Sequence, residues 1–136
     1  MGEPLRVLLP AEPCSVAIAR RALATWLAPL QWPEETAQDL VLAASEAVTN
    51  CVDHAYPEPD AAPDAIVLEA REHPDDDRTC VEVTVADRGR WHDPLSDQGF
   101  RGRGIEMMRA LAGSVTVDGS AAGTTVVLRC WRRGSG

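Results

Sequence analysis

At 136 residues, 45% hydrophobic and 25% charged, the chain has the makeup of one globular domain, residues 1–136, large enough to bury a core without staples. A net charge of −8 argues against a nucleic-acid-binding or anionic-membrane surface, and no apolar run approaches the ~18 residues of a membrane helix. The first residues carry no signal-peptide pattern, and Cys14, Cys51, Cys80 and Cys130 lie too far apart for a zinc site or disulfide framework, so they read as buried free thiols of a cytoplasmic protein.

Leu5-Arg-Val-Leu-Leu9 predicts a short strand, closed by Pro10 and Pro13. From Ser15 to about Leu30, Val16, Ala19, Leu23, Trp26, Leu27 and Leu30 follow the helical period, leaving Arg20 and Arg21 exposed. Gln31-Trp32-Pro33 breaks the chain, with Pro33 suited to open a second helix over about Glu34–Asp53. The buried stripe of that helix is Ala37, Leu40, Val41, Ala44, Val48, Cys51 and Ala55. Tyr56 to Pro63 is a proline-rich loop.

Ile66, Leu68 and Ala70 alternate with Val67, Glu69 and Arg71 as a half-buried strand, and His73 to Arg78 reads as a hairpin tip. In the next strand Val81, Val83 and Val85 point one way, and Asp87 keeps their inward phase. A carboxylate there is costly unless something satisfies it. Gly89 to Gly104 is a long glycine-containing loop, and Ile105–Ala112 a short helix stopped by Gly113. Val115–Val117 and Thr124–Trp131 form a last hairpin, in which Val126, Leu128 and Cys130 face inward and bring Thr124 with them. Arg132 to Gly136 reads as a loose end. The order of elements predicts an α+β two-layer sandwich, a mixed, mostly antiparallel sheet covered on one face by helices.

Three groups carry chemistry. Glu46, Asn50 and His54 are four residues apart, so they form one row on the second helix. A solvated helix face would look the same, but Leu42 and Ala43 lie on that side too, and mixed lining suits a ligand pocket. Asn50, a poor helix former, hints at a needed side chain. Gly99-Phe-Arg-Gly-Arg-Gly104 opens into a helix, where free N–H groups can hold a phosphate and Arg101 and Arg103 supply charge; a plain surface loop fits as well. Asp87-Arg-Gly89 could accept from a ligand donor such as the adenine amine, or could be satisfied by local backbone.

In order and spacing these motifs resemble the GHKL nucleotide-binding (Bergerat) fold, shared by gyrase-type ATPases, histidine kinases and anti-sigma-factor serine kinases. Glu46-Ala-Val-Thr-Asn50-x-x-x-His54-Ala-Tyr56 looks like the N-box in its anti-sigma-factor form. Asp87-Arg-Gly89, Gly102-Arg-Gly104 and Gly123-Thr-Thr125 resemble the three glycine boxes. Trp91 departs from the pattern, standing where the first box has its second glycine, and the stretch from Trp91 to Gly99 is compact for a lid over the nucleotide.

The resemblance implies ATP and Mg²⁺ as cofactors. Asn50 would hold the metal, Glu46 would be the general base, and His54 and Tyr56 would line the nucleotide. Asp87 would take the adenine amine, helped by Gly89 and by Thr124 or Thr125. Gly102 and Gly104 would meet the phosphates, with Arg101 or Arg103 as charge partner. It further implies a serine/threonine protein kinase that phosphorylates an anti-sigma-factor antagonist, binds a sigma factor and forms a homodimer. The alternatives are a weakly active or inactive protein-binding module of the same fold, and a histidine-kinase catalytic domain.

Overall fold

Strand phase decides the architecture. The computed structural model describes residues 3–55, 66–87, 111–120 and 123–133. Their strands are β1 (Leu5–Leu9), β2 (Ile66–Asp75), β3 (Arg78–Asp87), β4 (Ser114–Ser120) and β5 (Gly123–Arg133), in the sheet order β1-β2-β3-β5-β4. All pairings among them are antiparallel, so the expected mixed component is absent from the described strands. Register sets Ile66 opposite Asp87, and Asp87 in turn opposite Thr124. Leu9, Ile66, Leu68, Val81, Val83, Val85, Val126 and Leu128 are all fully buried on one face. A one-residue slip would turn this whole set outward, at ~1.5–3 kcal/mol per side chain, so the register is firmly specified.

Among the described residues, two α-helices cover that face. Helix α1 (Cys14–Leu27) buries Ala19, Leu23 and Leu27, a spacing of one turn, and leaves Arg20 and Arg21 outside. It passes into a 3₁₀ turn (Ala28–Leu30), and Gln31 then takes a left-handed φ of 60° before Pro33 starts helix α2 (Glu34–Asn50). Cys14 corrects one expectation. It is exposed, because it begins α1 off the buried stripe, whereas Cys51, Cys80 and Cys130 are buried and all four thiols are free. Its neighbour Ser15 is buried instead and donates its hydroxyl to the Pro10 carbonyl at 2.5 Å.

The β2–β3 hairpin is tighter than the sequence implies. Asp75 pairs with Arg78, leaving only Asp76 and Asp77 in the turn, with Asp76 at φ 56°, a left-handed position that aspartate tolerates. Pro74 is accommodated in β2 because β1 stops pairing at Ala70, so no neighbour asks for its missing N–H.

The outer face of the sheet is charged. Glu82 sits between Arg71 and Arg129 on adjacent strands, accepting at 3.0 Å and 2.7 Å. Burial pushes the Glu82 carboxyl up, but hydrogen bonds from Arg129 and Arg71 outweigh it and hold the group below its ordinary range. Cys80 shares this face beside Trp131, and burial, with the charge of Glu82, lifts its thiol to about 11. Gly113 lies beneath the same tryptophan. A Cβ there would come within 3.0 Å of the Trp131 ring, so this glycine makes room for the indole; the helix expected over Ile105–Ala112 lies outside the described residues but for its last two positions.

The supposed loose end is not loose at Arg132. Its guanidinium donates to the carbonyls of Gln31 (2.8 Å) and Leu30 (3.0 Å), pairs with Glu72 (3.4 Å) and stacks over the Trp32 ring at 4.6 Å. Trp32 Nε1 donates to the same Glu72 carboxylate at 2.6 Å. This clamp fixes the joint between the helices to β2 and β5.

Candidate functional site

The site lies at the opposite end of the sandwich from that clamp. Helix α2 runs away from Trp32, and Ala43, Ala44 and Ala47, all buried, let its second half lie close to β3 and β5. At its C-terminus the N–H of Cys51 is shared between the carbonyls of Ala47 and Val48, and the chain widens into a π-helical turn, Cys51–Ala55. Such turns recur at functional sites because they re-aim side chains that a regular helix would keep in register. The expected helix to Asp53 is therefore α-helical only as far as Asn50.

Asn50 is 1% exposed, so the solvated-face reading of its row is excluded at that position. Both its Oδ1 and Nδ2 are buried without a hydrogen-bond partner among the described residues. Glu46, one turn earlier, is half-buried. Across the interface Asp87 is 5% exposed, and its Oδ2 accepts from the Cys51 thiol at 3.3 Å. Beside Asp87 in the register, Thr124 is 2% exposed, and its Oγ1 has no partner among the described residues. Burying an unsatisfied polar group costs ~1–3 kcal/mol, and Asn50 and Thr124 both carry that cost at this end of the core. Thr125, in the opposite strand phase, goes to the outer face and is not brought to Asp87.

Glu46 and Asn50 on α2, Asp87 on β3 and Thr124 on β5 are thus the predicted site residues that the described structure brings to one end of the core. The backbone of His54 is part of the π-helical turn, while its side chain, together with Tyr56, Gly89, Arg101, Gly102, Arg103 and Gly104, lies outside the described residues. Cys51 was missed. Its helical phase marked it as core, and its partner Asp87 is 36 residues away on another element. A groove of about 550 Å³ between the helices, lined by Leu27, Trp32, Val41 and Leu42 among others, holds none of these residues. Among the described residues no cluster of three or more His, Cys, Asp or Glu side chains could hold a metal, and no helix is long and apolar enough to cross a membrane.

A helical layer over an open antiparallel sheet, with buried Asn, Asp and Thr side chains at one end, is the GHKL ATPase type of α+β fold. The profile of the histidine kinase-like ATPase domain matches residues 9–130, and the chain belongs to that family. Among solved structures it is similar to one of the RsbU and RsbW domains of Rv1364c from Mycobacterium tuberculosis, with 29% identity and a TM-score of 0.78. That likeness covers 96% of this chain and 33% of the other, so this chain spans a third of that one. It is also similar to the blue-light activated histidine kinase of Erythrobacter litoralis EL346, with 29% identity and a TM-score of 0.54 over 72% of this chain and 31% of the other. The histidine kinase domain of that enzyme, at 23% identity and a TM-score of 0.54, covers 89% of this chain and 60% of its own; it supports the fold alone.

Proposed function

We propose that the chain is an ATP-dependent serine/threonine protein kinase and anti-sigma factor, acting in the cytoplasm. It phosphorylates a serine of an anti-sigma-factor antagonist and, free of that partner, sequesters a sigma factor. The observation that carries this reading is the Asn50 amide, buried with both polar atoms unsatisfied one turn beyond Glu46. Buried orphans on α2 and on β5 fit a polar ligand that meets them both, as ATP with Mg²⁺ would. The likeness to the RsbU and RsbW structure over 96% of the chain, and the N-box spacing, support this type within the family.

Asn50 Oδ1 would hold the Mg²⁺, which when bound neutralises charge on the phosphates. A single amide oxygen suits this ion, which prefers oxygen ligands and keeps much of its shell as phosphate and water. Glu46 takes the proton from the attacking serine hydroxyl, and its half-exposed position leaves it within reach of a protein substrate. Asp87 receives the adenine amine at the far wall, with Thr124 beside it. A homodimer is proposed on β1, whose outer edge pairs with no other described strand.

The test is to incubate the purified chain and its cognate antagonist with labelled ATP and Mg²⁺. Acid-stable phosphoserine on the antagonist is the expected product. Acid-labile phosphohistidine would favour the histidine-kinase reading, which the Erythrobacter likeness supports. Nucleotide binding without transfer to any partner would reduce the chain to a binding module, the reading that Trp91 in the first glycine box favours.

A further inference from the structure

We propose that Cys51 is a positioning residue for base recognition: its thiol proton holds the Asp87 carboxylate in the orientation that receives an adenine amine. This rests on the reading of Asp87 given above. The thiol lies 3.3 Å from Asp87 Oδ2, with the two side chains 1% and 5% exposed. In that contact the sulfur is the donor and the carboxylate oxygen the acceptor, since a thiol carries the proton and a carboxylate has none to give. A carboxylate at a strand end has a soft terminal torsion, and a fixed donor on one oxygen sets the plane of both.

The donor comes from α2 and the acceptor from β3, so the bond also ties the base-binding wall to the Asn50 turn. A neutral donor suits this task better than a cation, because it orients the carboxylate without competing for its charge. That the pair serves a ligand, rather than the core alone, is indicated by its neighbours. Thr124 Oγ1, next to Asp87 in the register, and the amide of Asn50, next to Cys51 in the chain, are both buried and unpartnered. The sulfur is a weak donor, so its contribution is small against that of Asp87 itself.

The experiment is calorimetric titration of the full chain and its variants with ADP–Mg²⁺ and with inorganic tripolyphosphate–Mg²⁺, which has no base. Asp87→Asn should lose most ADP affinity and keep tripolyphosphate binding. Cys51→Ala should weaken ADP roughly three- to tenfold, the scale of one ordinary hydrogen bond, as suits a weak sulfur donor, leave tripolyphosphate unchanged, and be rescued by Cys51→Ser. If Asp87→Asn does not separate the two ligands, the assignment of Asp87 fails and this inference with it. If Asp87→Asn separates them but Cys51→Ala binds ADP like the parent, the inference about Cys51 alone is overturned. Equal weakening of both ligands, or no rescue by serine, also overturns it, because a thiol that merely fills space would behave that way.

Discussion

The two ends of the helix–sheet interface treat buried polarity in opposite ways. At one end Glu72, Trp32 and Arg132 satisfy one another and the last carbonyls before the helix break. At the other, some 20 Å along β3 by strand rise, Asn50 and Thr124 keep polar atoms in the interior with no partner. The other orphan among the described side chains, Nε2 of His73, lies on the outer face. The same core of valines and leucines joins both ends, so the difference is not one of packing. The clamp end satisfies its own polar groups, and the Asn50 end leaves them for the nucleotide proposed above.

The largest effect that would break or sharpen this contrast belongs to Glu46. Glu46→Ala should leave ATP binding largely intact and lower phosphate transfer by about 10²–10⁴-fold, the usual contribution of a general base. Asn50→Ala should instead weaken Mg²⁺-dependent nucleotide binding itself. Nucleotide affinity and single-turnover transfer, measured side by side, separate the roles; equal and mild losses from both variants would remove the assignment.

Next in size is the clamp. Arg132→Ala should destabilise the fold by about 2–3 kcal/mol in denaturant unfolding, since it strips two carbonyl bonds, the Glu72 pair and the Trp32 stack together. Arg132→Lys should recover little, because an ammonium cannot reproduce the planar fork that meets three acceptors. Neither change should alter nucleotide affinity once the protein is folded. A loss of affinity in the folded Arg132→Lys variant would mean that the two ends are coupled rather than separate.

Much of this was legible in the sequence because it depends on local period. The valines of β3 announce their face two residues at a time, and Asp87 and Thr124 are placed inward by the neighbours that share their phase. The Glu46–Asn50 spacing follows from the helical turn alone. What was not legible depends on partners brought from afar. Arg132 looked like a tail because its acceptors are about a hundred residues earlier in the chain. Cys51 looked like plain core because the carboxylate it serves lies across the interface. Cys80 is buried on the charged outer face, beside a tryptophan that only strand register brings next to it. The switch from α to π geometry at Cys51 leaves no periodic trace, since it inserts its extra width within a single turn.

The smallest predicted effect is the most diagnostic of the contrast. Thr124→Val keeps the shape of the side chain and removes only a buried hydroxyl oxygen that has no partner. At the clamp end, deleting a polar group exposes another; here it should relieve a penalty. The ligand-free variant should gain about 1 kcal/mol, and for a chain of this size its melting temperature should rise by roughly 3–4 °C. The same variant should bind ADP–Mg²⁺ a few-fold more weakly, because the hydroxyl no longer meets the ligand. Stability and affinity moving in opposite directions is the signature of a polar group held for a partner outside the protein. If Thr124→Val instead loses stability, the hydroxyl is already bonded within the fold, and only Asn50 distinguishes this end from the clamp.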